Sequence, residues 1–315
     1  MHSRSALAWV VVVASTLVAC SPADDEPSAV QTAVPAAPHD NPFMIGRPLV
    51  IPHAGGDALF PENTLYAYEH SMAMGGDVVD ADVSLTADGI PIAFHDSTLE
   101  RTTNGTGRVQ DLTLDDITKL DAAWNFHPDQ NFPLRGMGIT VPTIETILLA
   151  FPHKLTTLDL KDLRPEAVEP ICSLLTSLHR TDDVYVGVDT DEQVMLFRQS
   201  CPQVQTSGTS AERKAARAAR SAGDTTFVSA QLVGQPAFRA DDGTKRITAD
   251  YLAFSHRLGI AVLTWVVDDP ADMTDLINMG IDGIYTRRPD LMIQLLKDMG
   301  KIEPTTSASG STLAP

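Results

Sequence analysis

From residue 48 onward, short runs of apolar and β-branched residues alternate with longer segments in which apolar residues recur at helical spacing. The first pattern is typical of buried strands and the second of amphipathic helices. The predicted strands span residues 49–53, 78–85, 90–94, 155–160, 184–188, 204–206, 226–228, 261–267 and 283–286. The predicted helices span residues 63–74, 143–151, 166–178, 192–199, 211–222, 249–258, 270–279 and 291–299.

Strands that alternate with helices indicate right-handed βαβ units and a parallel sheet. We therefore predict an α/β fold, a (β/α)8 barrel of the TIM type. Nine runs resemble strands, so one of them is expected to lie outside the barrel. An open doubly wound sheet is the alternative, although no glycine-rich strand-to-helix fingerprint supports it. Residues 98–141 contain no clear strand and are predicted to be an insertion after the third strand, over the mouth of the barrel.

The first twenty residues have the composition of a bacterial export signal. Arg4 supplies a positive charge, residues 6–16 are apolar, and residues 17–20 read Leu-Val-Ala-Cys, which matches a lipobox. The apolar segment is too short for a membrane-spanning helix. We expect a signal peptide over residues 1–19, acylation of Cys20, and a protein that is exported and lipid-anchored at the cell envelope. An ordinary signal peptide, in which Cys20 is incidental, is the alternative.

Polar, proline-rich segments flank the predicted barrel. Residues 20–47 are expected to form a flexible tether and residues 301–315 a disordered tail, which leaves residues 48–300 for the barrel. The formal net charge of −18 argues against a nucleic-acid partner, because phosphate backbones require a cationic surface. Cys172 and Cys201 each lie at or near the end of a predicted helix, and these helices are consecutive. The sequence leaves open whether the two cysteines pair or stay free thiols. It also leaves the oligomeric state open.

Polar side chains cluster at the ends of four consecutive predicted strands. These residues are His53, Asp80 with Asp82, His95, and Asp159 with Lys161. In a β/α barrel the carboxyl ends of the strands converge on one site. Carboxylates suit a hard cation such as Mg²⁺ or Ca²⁺, and two histidines can act as base and acid on either side of a phosphorus. A lysine can neutralise a phosphate oxygen.

These residues resemble those of the glycerophosphodiester phosphodiesterase family, over residues 48–297. Each matching stretch is weak alone, but their order and spacing together are specific. The stretches are His-Ala-Gly-Gly at 53–56, Pro-Glu-Asn-Thr at 61–64, residues 80–83, 86–89, 95–96, 101–103, 141–145, 159–161, 264–267, 280–286 and 288–289.

The resemblance implies a β/α barrel that hydrolyses glycerophosphodiesters to glycerol 3-phosphate and an alcohol with one divalent metal, Ca²⁺ or Mg²⁺. By position, His53 and His95 match the catalytic pair of the family. The metal ligands are matched by Asp80, Asp82 and Asp159. The remaining matches lie on the substrate side: Lys161 as a phosphate contact, Trp265 as an aromatic wall, and Glu62 and Asn63 as support for the first histidine. Core packing of Trp265 and helix capping by Asn63 are the simpler alternatives.

Two departures from the family pattern concern substrate and metal. Ala54 stands where the family usually has arginine, so a guanidinium that would grip phosphate is absent. Asp80 stands where the family usually has glutamate. Two further functions therefore stay open: a phospholipase D-like enzyme acting on lysophospholipid or sphingomyelin headgroups, and a non-catalytic phosphodiester-binding lipoprotein. The former needs an apolar rim, for which the insertion offers Trp124, Phe126, Phe132 and Met137.

Overall fold

The structure is a computed structural model that describes residues 41–303. The predicted signal peptide, Cys20 and most of the predicted tether and tail lie outside the described residues. The strands are β1 Leu49–Pro52, β2 Val78–Leu85, β3 Pro91–Ala93, β4 Leu155–Leu160, β5 Val184–Val188, β6 Gln205–Thr206, β7 Val233–Gly234, β8 Ala261–Thr264 and β9 Gly283–Thr286. The helices are α1 Leu65–Met74, α2 Leu114–Ile117, α3 Ile144–Ala150, α4 Val168–Ser177, α5 Asp191–Ser200, α6 Ser210–Ala222, α7 Ala249–Arg257, α8 Pro270–Met279 and α9 Pro289–Asp298.

The strands form the inner layer of the barrel and the helices cover it. Every residue of β1, β2, β5, β8 and β9 is buried, which explains why β1, β5, β8 and β9 read as mostly apolar runs. β2 alternates instead, because it carries the buried aspartates Asp80 and Asp82. Most helices begin at a threonine or aspartate whose side chain accepts a hydrogen bond from the first turn; these residues are Thr64, Thr143, Thr190, Thr209, Thr248 and Asp269.

Within the described residues, eight strands pair in parallel and confirm the predicted α/β barrel. One sheet has the order β1-β9-β8-β7 and the other β3-β2-β4-β5-β6. The two sheets meet where the backbone N–H of Asp77 donates to the carbonyl of Val50, at 2.9 Å. Residues at the carboxyl ends of β1, β2 and β4 therefore lie at one face of the barrel.

Two predicted strands differ from the structure. The third strand, β3, runs antiparallel to β2 and is the strand that lies outside the parallel barrel. The predicted strand at residues 226–228 is wrong, because this segment is a loop in which Val228 is 77% exposed. The barrel strand is β7, a few residues further on, and it pairs with β8. Local β-branched composition favoured the exposed segment, whereas pairing within the barrel decides the register.

The segment before β1 and the insertion after β3 also pack against the barrel. Asn41 and Phe43, which were expected to belong to the tether, are buried, so the packed domain begins before residue 48. Residues 98–141 hold only short helical segments, yet Leu99, Val109 and Ile117 are buried in a small hydrophobic cluster.

Cys172 and Cys201 form a disulfide between α4 and the end of α5, with their Cα atoms 5.7 Å apart. No helix in residues 41–303 is both long and apolar enough to cross a membrane.

Candidate active site

The first candidate histidine lies in a tight turn that directly follows β1. Residues His53–Gly55 form a single 3-10 turn, and Ala54 adopts a left-handed conformation with φ 47°. The backbone N–H of Ala54 donates to Asp80 Oδ2 at 3.1 Å, which ties the turn to β2. A Cβ atom on Gly55 would lie 2.7 Å from the Cβ of Ala67, so glycine is required there for the turn to pack on α1.

The surroundings of His53 favour its protonated form. Its Nδ1 lies 3.4 Å from Asp57 Oδ1, one turn further along the chain. Burial lowers the pKa of His53, but the hydrogen bond to Asp57 and the negative charges on β2 outweigh burial and raise this pKa to about 9. At neutral pH the imidazole of His53 therefore carries a proton that it can donate.

The two aspartates of β2 are buried and fully engaged by neighbouring donors. Asp80 accepts from Thr157 Oγ1 at 2.7 Å as well as from Ala54, and burial raises its pKa to about 6 despite the opposing charge of His53. Asp82 Oδ2 accepts from Asn63 Nδ2 at 2.7 Å, and Asn63 Oδ1 accepts from the backbone of Asp82 and from the hydroxyl of Tyr68. Asn63 thus orients a carboxylate, while Thr64 rather than Asn63 caps α1.

Strand β4 brings a third carboxylate and an ammonium group to the same place. Asp82 and Asp159 are register partners in the parallel pairing of β2 with β4. Lys161 Nζ lies 2.5 Å from Asp159 Oδ2 and 3.2 Å from Asp82 Oδ1, so it bridges the two strands. The charges of both aspartates raise the pKa of Lys161 against the effect of burial. Burial raises the pKa of Asp159.

The donor set fits a hard divalent cation in its chemistry. Asp80, Asp82 and Asp159 offer carboxylate oxygens, which Mg²⁺ and Ca²⁺ prefer. Lys161 supplies positive charge between two of these carboxylates in this arrangement. Within residues 41–303, no three His, Cys, Asp or Glu side chains are arranged closely enough to hold a metal ion. Because Lys161 Nζ lies between Asp82 and Asp159, a cation bound between these two carboxylates requires the ammonium group to move.

The second candidate histidine is oriented by a series of charged side chains that includes Arg101 of the insertion. His95 Nδ1 lies 2.8 Å from Asp96 Oδ1, and Asp96 in turn accepts from Arg101. The other side of the Arg101 guanidinium donates two hydrogen bonds of 2.6 Å to Glu62. Arg101 and His95 lower the pKa of Asp96 against the effect of burial. An ionised Asp96 orients the imidazole so that Nε2 of His95 is free to accept a proton.

Glu62 was expected to support the first histidine, but its contacts connect it to the second. Through Arg101 and Asp96 it reaches His95. A cleft of about 240 Å³ separates this group from the insertion; it is lined by Asp57, Pro61, Glu62, Arg101, Thr102, Ala122, Asn125, Phe126, His127 and Pro128. Asp57, the partner of His53, and Arg101, which holds Asp96 beside His95, therefore border one cleft.

Trp265 lies at the carboxyl end of β8 and is not a core residue. It is 49% exposed, and its Nε1 donates to the carbonyl of Gln235 at 2.9 Å. Gln235 also reaches the hydroxyl of Tyr285 on β9, at 2.5 Å. The position of Trp265 fits an aromatic wall, and its contact with substrate stays a prediction.

Several residues of the site were not singled out in the sequence. Asp57 and Thr157 lie beside His53 and Asp80, and Asp96 and Arg101 hold His95. Asp96 and Arg101 belong to the stretches that match the family, but the sequence did not indicate that they hold His95. Asp57 has a local signal, since it lies four residues after His53 in a tight turn. Thr157 has none, because only strand register brings it to Asp80.

The sequence as a whole agrees with this geometry. Residues 53–291 match the family model described as "Glycerophosphoryl diester phosphodiesterase family". The chain belongs to this family. Its members are phosphoric diester hydrolases, which confirms the predicted class of enzyme. A glycerophosphodiester phosphodiesterase of Bacillus subtilis is 29% identical over 282 residues, which cover 86% of this chain and 94% of that protein.

Solved structures of the family share the barrel. A glycerophosphoryl diester phosphodiesterase from Silicibacter pomeroyi has a TM-score of 0.66 and 25% identity, covering 81% of this chain and 94% of that one. A phosphodiesterase from Oleispira antarctica, in complex with the product sn-glycerol-3-phosphate, has a TM-score of 0.64 and 22% identity, covering 80% of this chain and 97% of that one. At this identity the second likeness shows the fold alone.

Proposed function

We propose that the protein hydrolyses glycerophosphodiesters to glycerol 3-phosphate and an alcohol. The observation that carries this proposal is a pair of histidines, each with Nδ1 against an aspartate, at the face of the barrel where three carboxylates and Lys161 lie. The product bound in the relative from Oleispira antarctica agrees with it.

The two histidines divide the proton transfers. His53, held in its protonated form by Asp57, donates a proton to the departing alcohol oxygen. His95, whose Nδ1 is engaged by Asp96, removes a proton from the attacking oxygen through Nε2. The attacking oxygen belongs to water or to the neighbouring glycerol hydroxyl; the second route gives a cyclic phosphate before hydrolysis. Lys161 offsets the charge on a non-bridging phosphate oxygen.

A divalent cation, Mg²⁺ or Ca²⁺, completes the site in this proposal, held by Asp80, Asp82 and Asp159. When bound, it supplies positive charge that stabilises the phosphoryl oxygens. Asn63 and Thr157 orient two of these carboxylates. Lys161, displaced from between Asp82 and Asp159, is then free to contact the phosphate.

Product analysis tests the function. Incubation with glycerophosphocholine should release glycerol 3-phosphate and choline, and the His53→Ala variant should not support this release. Release of phosphocholine instead, or no turnover with either divalent cation, contradicts the proposal.

A second substrate is favoured by the apolar side chains of the insertion: Trp124 and Met137 are 36% and 64% exposed, and Phe126 lines the cleft. An apolar rim of this kind could accept the acyl chain of a lysophospholipid. Lysophosphatidylcholine therefore belongs in the same assay. Faster release of choline from lysophosphatidylcholine than from glycerophosphocholine would assign the phospholipase D-like function.

We also propose export and anchoring through an acylated Cys20, on the basis of the lipobox at residues 17–20. Two acyl-type chains give stable membrane attachment, at about 0.8 kcal/mol per buried methylene. The Cys20→Ser variant should shift from the membrane to the soluble fraction of the cell. A variant that still sediments with membranes would exclude this anchor.

A further inference from the structure

The outer surface of α6 departs from the acidic character of the protein. The chain has a net charge of −18, yet α6 carries Arg213, Lys214, Arg217 and Arg220 against a single acid, Glu212. Glu212 does not offset this charge at the surface, because it is paired with Arg198 of α5 at 2.7 Å.

The four basic residues occupy one side of α6. With about 3.6 residues per turn, Arg213, Arg217 and Arg220 form a stripe with Lys214 beside it, and the buried Ala219 lies on the opposite side. Lys214 and Arg217 are exposed and have no hydrogen-bond or ion-pair partner among residues 41–303. Many other basic residues of the described barrel do pair with carboxylates, among them Arg47, Arg101, Arg164, Arg180, Arg239 and Arg287.

The neighbouring helix α7 and the loop after α6 extend this surface, and the loop adds an exposed apolar side chain. Arg220 lies over the ring of Tyr251 of α7, at 5.0 Å. Arg257, at the end of α7, donates to backbone carbonyls of the loop that follows α6 and so fixes that loop. Val228 of this loop is 77% exposed. We call the surface formed by Lys214, Arg217, Arg220, Arg257 and Val228 the basic patch.

The basic patch lies in the sector of the barrel where residues 1–40 join it. Asn41 Nδ2 donates to the carbonyls of Leu232 and Gly259, at 2.7 and 2.8 Å. Leu232 and Gly259 precede β7 and β8, so Asn41 is bound at the amino ends of these strands. The loops that lead into these strands follow α6 and α7. Arg220, Arg257 and Val228 lie towards these amino ends, whereas Lys214 lies in the first half of α6, further along the side of the barrel. The candidate active site lies at the carboxyl ends of the strands.

We propose that the basic patch docks this end of the barrel onto an anionic lipid surface, with the active-site mouth directed away from the bilayer. Basic side chains beside an exposed apolar residue fit negatively charged headgroups at a membrane interface. The rest of the protein is acidic and is repelled by such a surface, so charge alone selects this orientation.

This orientation has a consequence for the substrate, and that consequence rests on the proposed function. A mouth that faces the aqueous phase receives water-soluble glycerophosphodiesters rather than lipids still embedded in the bilayer. Docking itself does not depend on catalysis, so the two proposals can fail separately.

Vesicle binding tests the basic patch. The chain from residue 21 to 315 keeps every hydrophobic cluster of the described barrel and omits the predicted signal peptide and Cys20. It should sediment with phosphatidylglycerol vesicles at low salt, and not with phosphatidylcholine vesicles. Each basic residue near an anionic surface contributes about fivefold to binding, so K214E/R217E should weaken it at least about 25-fold. The milder K214Q/R217Q should weaken it less.

The matched control is K119E, an exposed lysine in the insertion at the other end of the barrel, which should leave vesicle binding unchanged. All variants should keep the melting temperature and the turnover of glycerophosphocholine, because the patch contacts neither the core nor the site. Absence of salt-sensitive binding, an equal loss in K119E, or binding to inorganic polyphosphate without binding to phosphatidylglycerol vesicles would overturn the proposal. Turnover that persists in these cases leaves the proposed function intact.

Discussion

The turn that holds His53 and the loop that holds His95 give the same side chain two different environments. His53 sits beside Asp57 and faces the buried carboxylates of β2, and Arg287, which interacts with Asp57 by charge, is itself paired with Asp268. His95 is more exposed, and its partner Asp96 is neutralised by Arg101, which Glu62 holds from the other side. The carboxylates around His53 raise its pKa, whereas Asp96, which is paired with Arg101, serves to orient His95.

Removal of either imidazole should have the largest effect. Because general acid and base groups are each worth about 10²- to 10⁴-fold, His53→Ala and His95→Ala should each lose about that much kcat on glycerophosphocholine. His153→Ala, an exposed histidine away from both regions, is the control. Steady-state kinetics with melting curves checks this prediction. Losses below about tenfold in both variants would mean that the two histidines are structural.

Disruption of the charged chain behind His95 should have the next largest effect. Arg101→Gln leaves Asp96 and Glu62 without their shared partner, so His95 loses its fixed orientation. We expect kcat to fall about 10- to 100-fold, the usual cost of removing an orienting partner. Arg108→Gln, on the same insertion, controls for loss of a surface charge. If the two variants lose kcat equally, the chain from Glu62 to His95 has no role in catalysis.

Removal of Asp57 should change the pH dependence more than the maximum rate. The carboxylate of Asp57 contributes to the raised pKa of His53, about 9, and asparagine cannot replace that charge. The pKa of His53 should fall towards its ordinary value in Asp57→Asn, so the protonated acid is lost at lower pH. Turnover near pH 8 to 9 should drop while turnover near pH 6 is preserved. An unchanged alkaline limb of the pH profile would assign that limb to another group.

The gain in stability from a divalent cation should be the smallest of these effects, and the cation should act on the His53 side of the comparison. Saturating Ca²⁺ or Mg²⁺ at about 100 times its dissociation constant adds about 2.7 kcal/mol to stability, which raises the melting temperature by several degrees. Its charge should also lower the pKa of His53, because it offsets the carboxylates of β2. Differential scanning fluorimetry after EDTA treatment measures the first effect, and Asp82→Asn should abolish it. No shift with any divalent ion, together with full activity in EDTA, would exclude the cation.

The sequence predicted most of the framework because the barrel strands are buried on both faces. β1 and β9 read as apolar runs, and β2 and β4 carry their aspartates near the carboxyl end, so the sequence indicated both the strands and the face of the site. β6 and β7 are only two residues long, and a strand of that length leaves no periodicity. The structure of residues 226–228 was mispredicted for this reason.

The candidate site was predictable in its residue types and less so in its connections. His53, Asp82 and Asp159 stand at strand ends, which the spacing alone indicates. The partners of these residues come from strand register and from the insertion, as with Thr157 on Asp80. No local pattern encodes such contacts. Lys161 was expected to bind phosphate, but its ammonium group lies between Asp82 and Asp159. The sequence did not indicate that Lys161 must leave these carboxylates before it can contact a phosphate.

The division of proton transfer between the two histidines is tested most directly by changing the leaving group. His53→Ala and His95→Ala should be compared on glycerophosphocholine and on a p-nitrophenyl phosphodiester, whose leaving group needs no proton. The loss in His53→Ala should shrink strongly on the nitrophenyl substrate, whereas the loss in His95→Ala should stay the same. The reverse pattern would make His95 the acid, and equal losses on both substrates in both variants would contradict the assignment of an acid to either histidine.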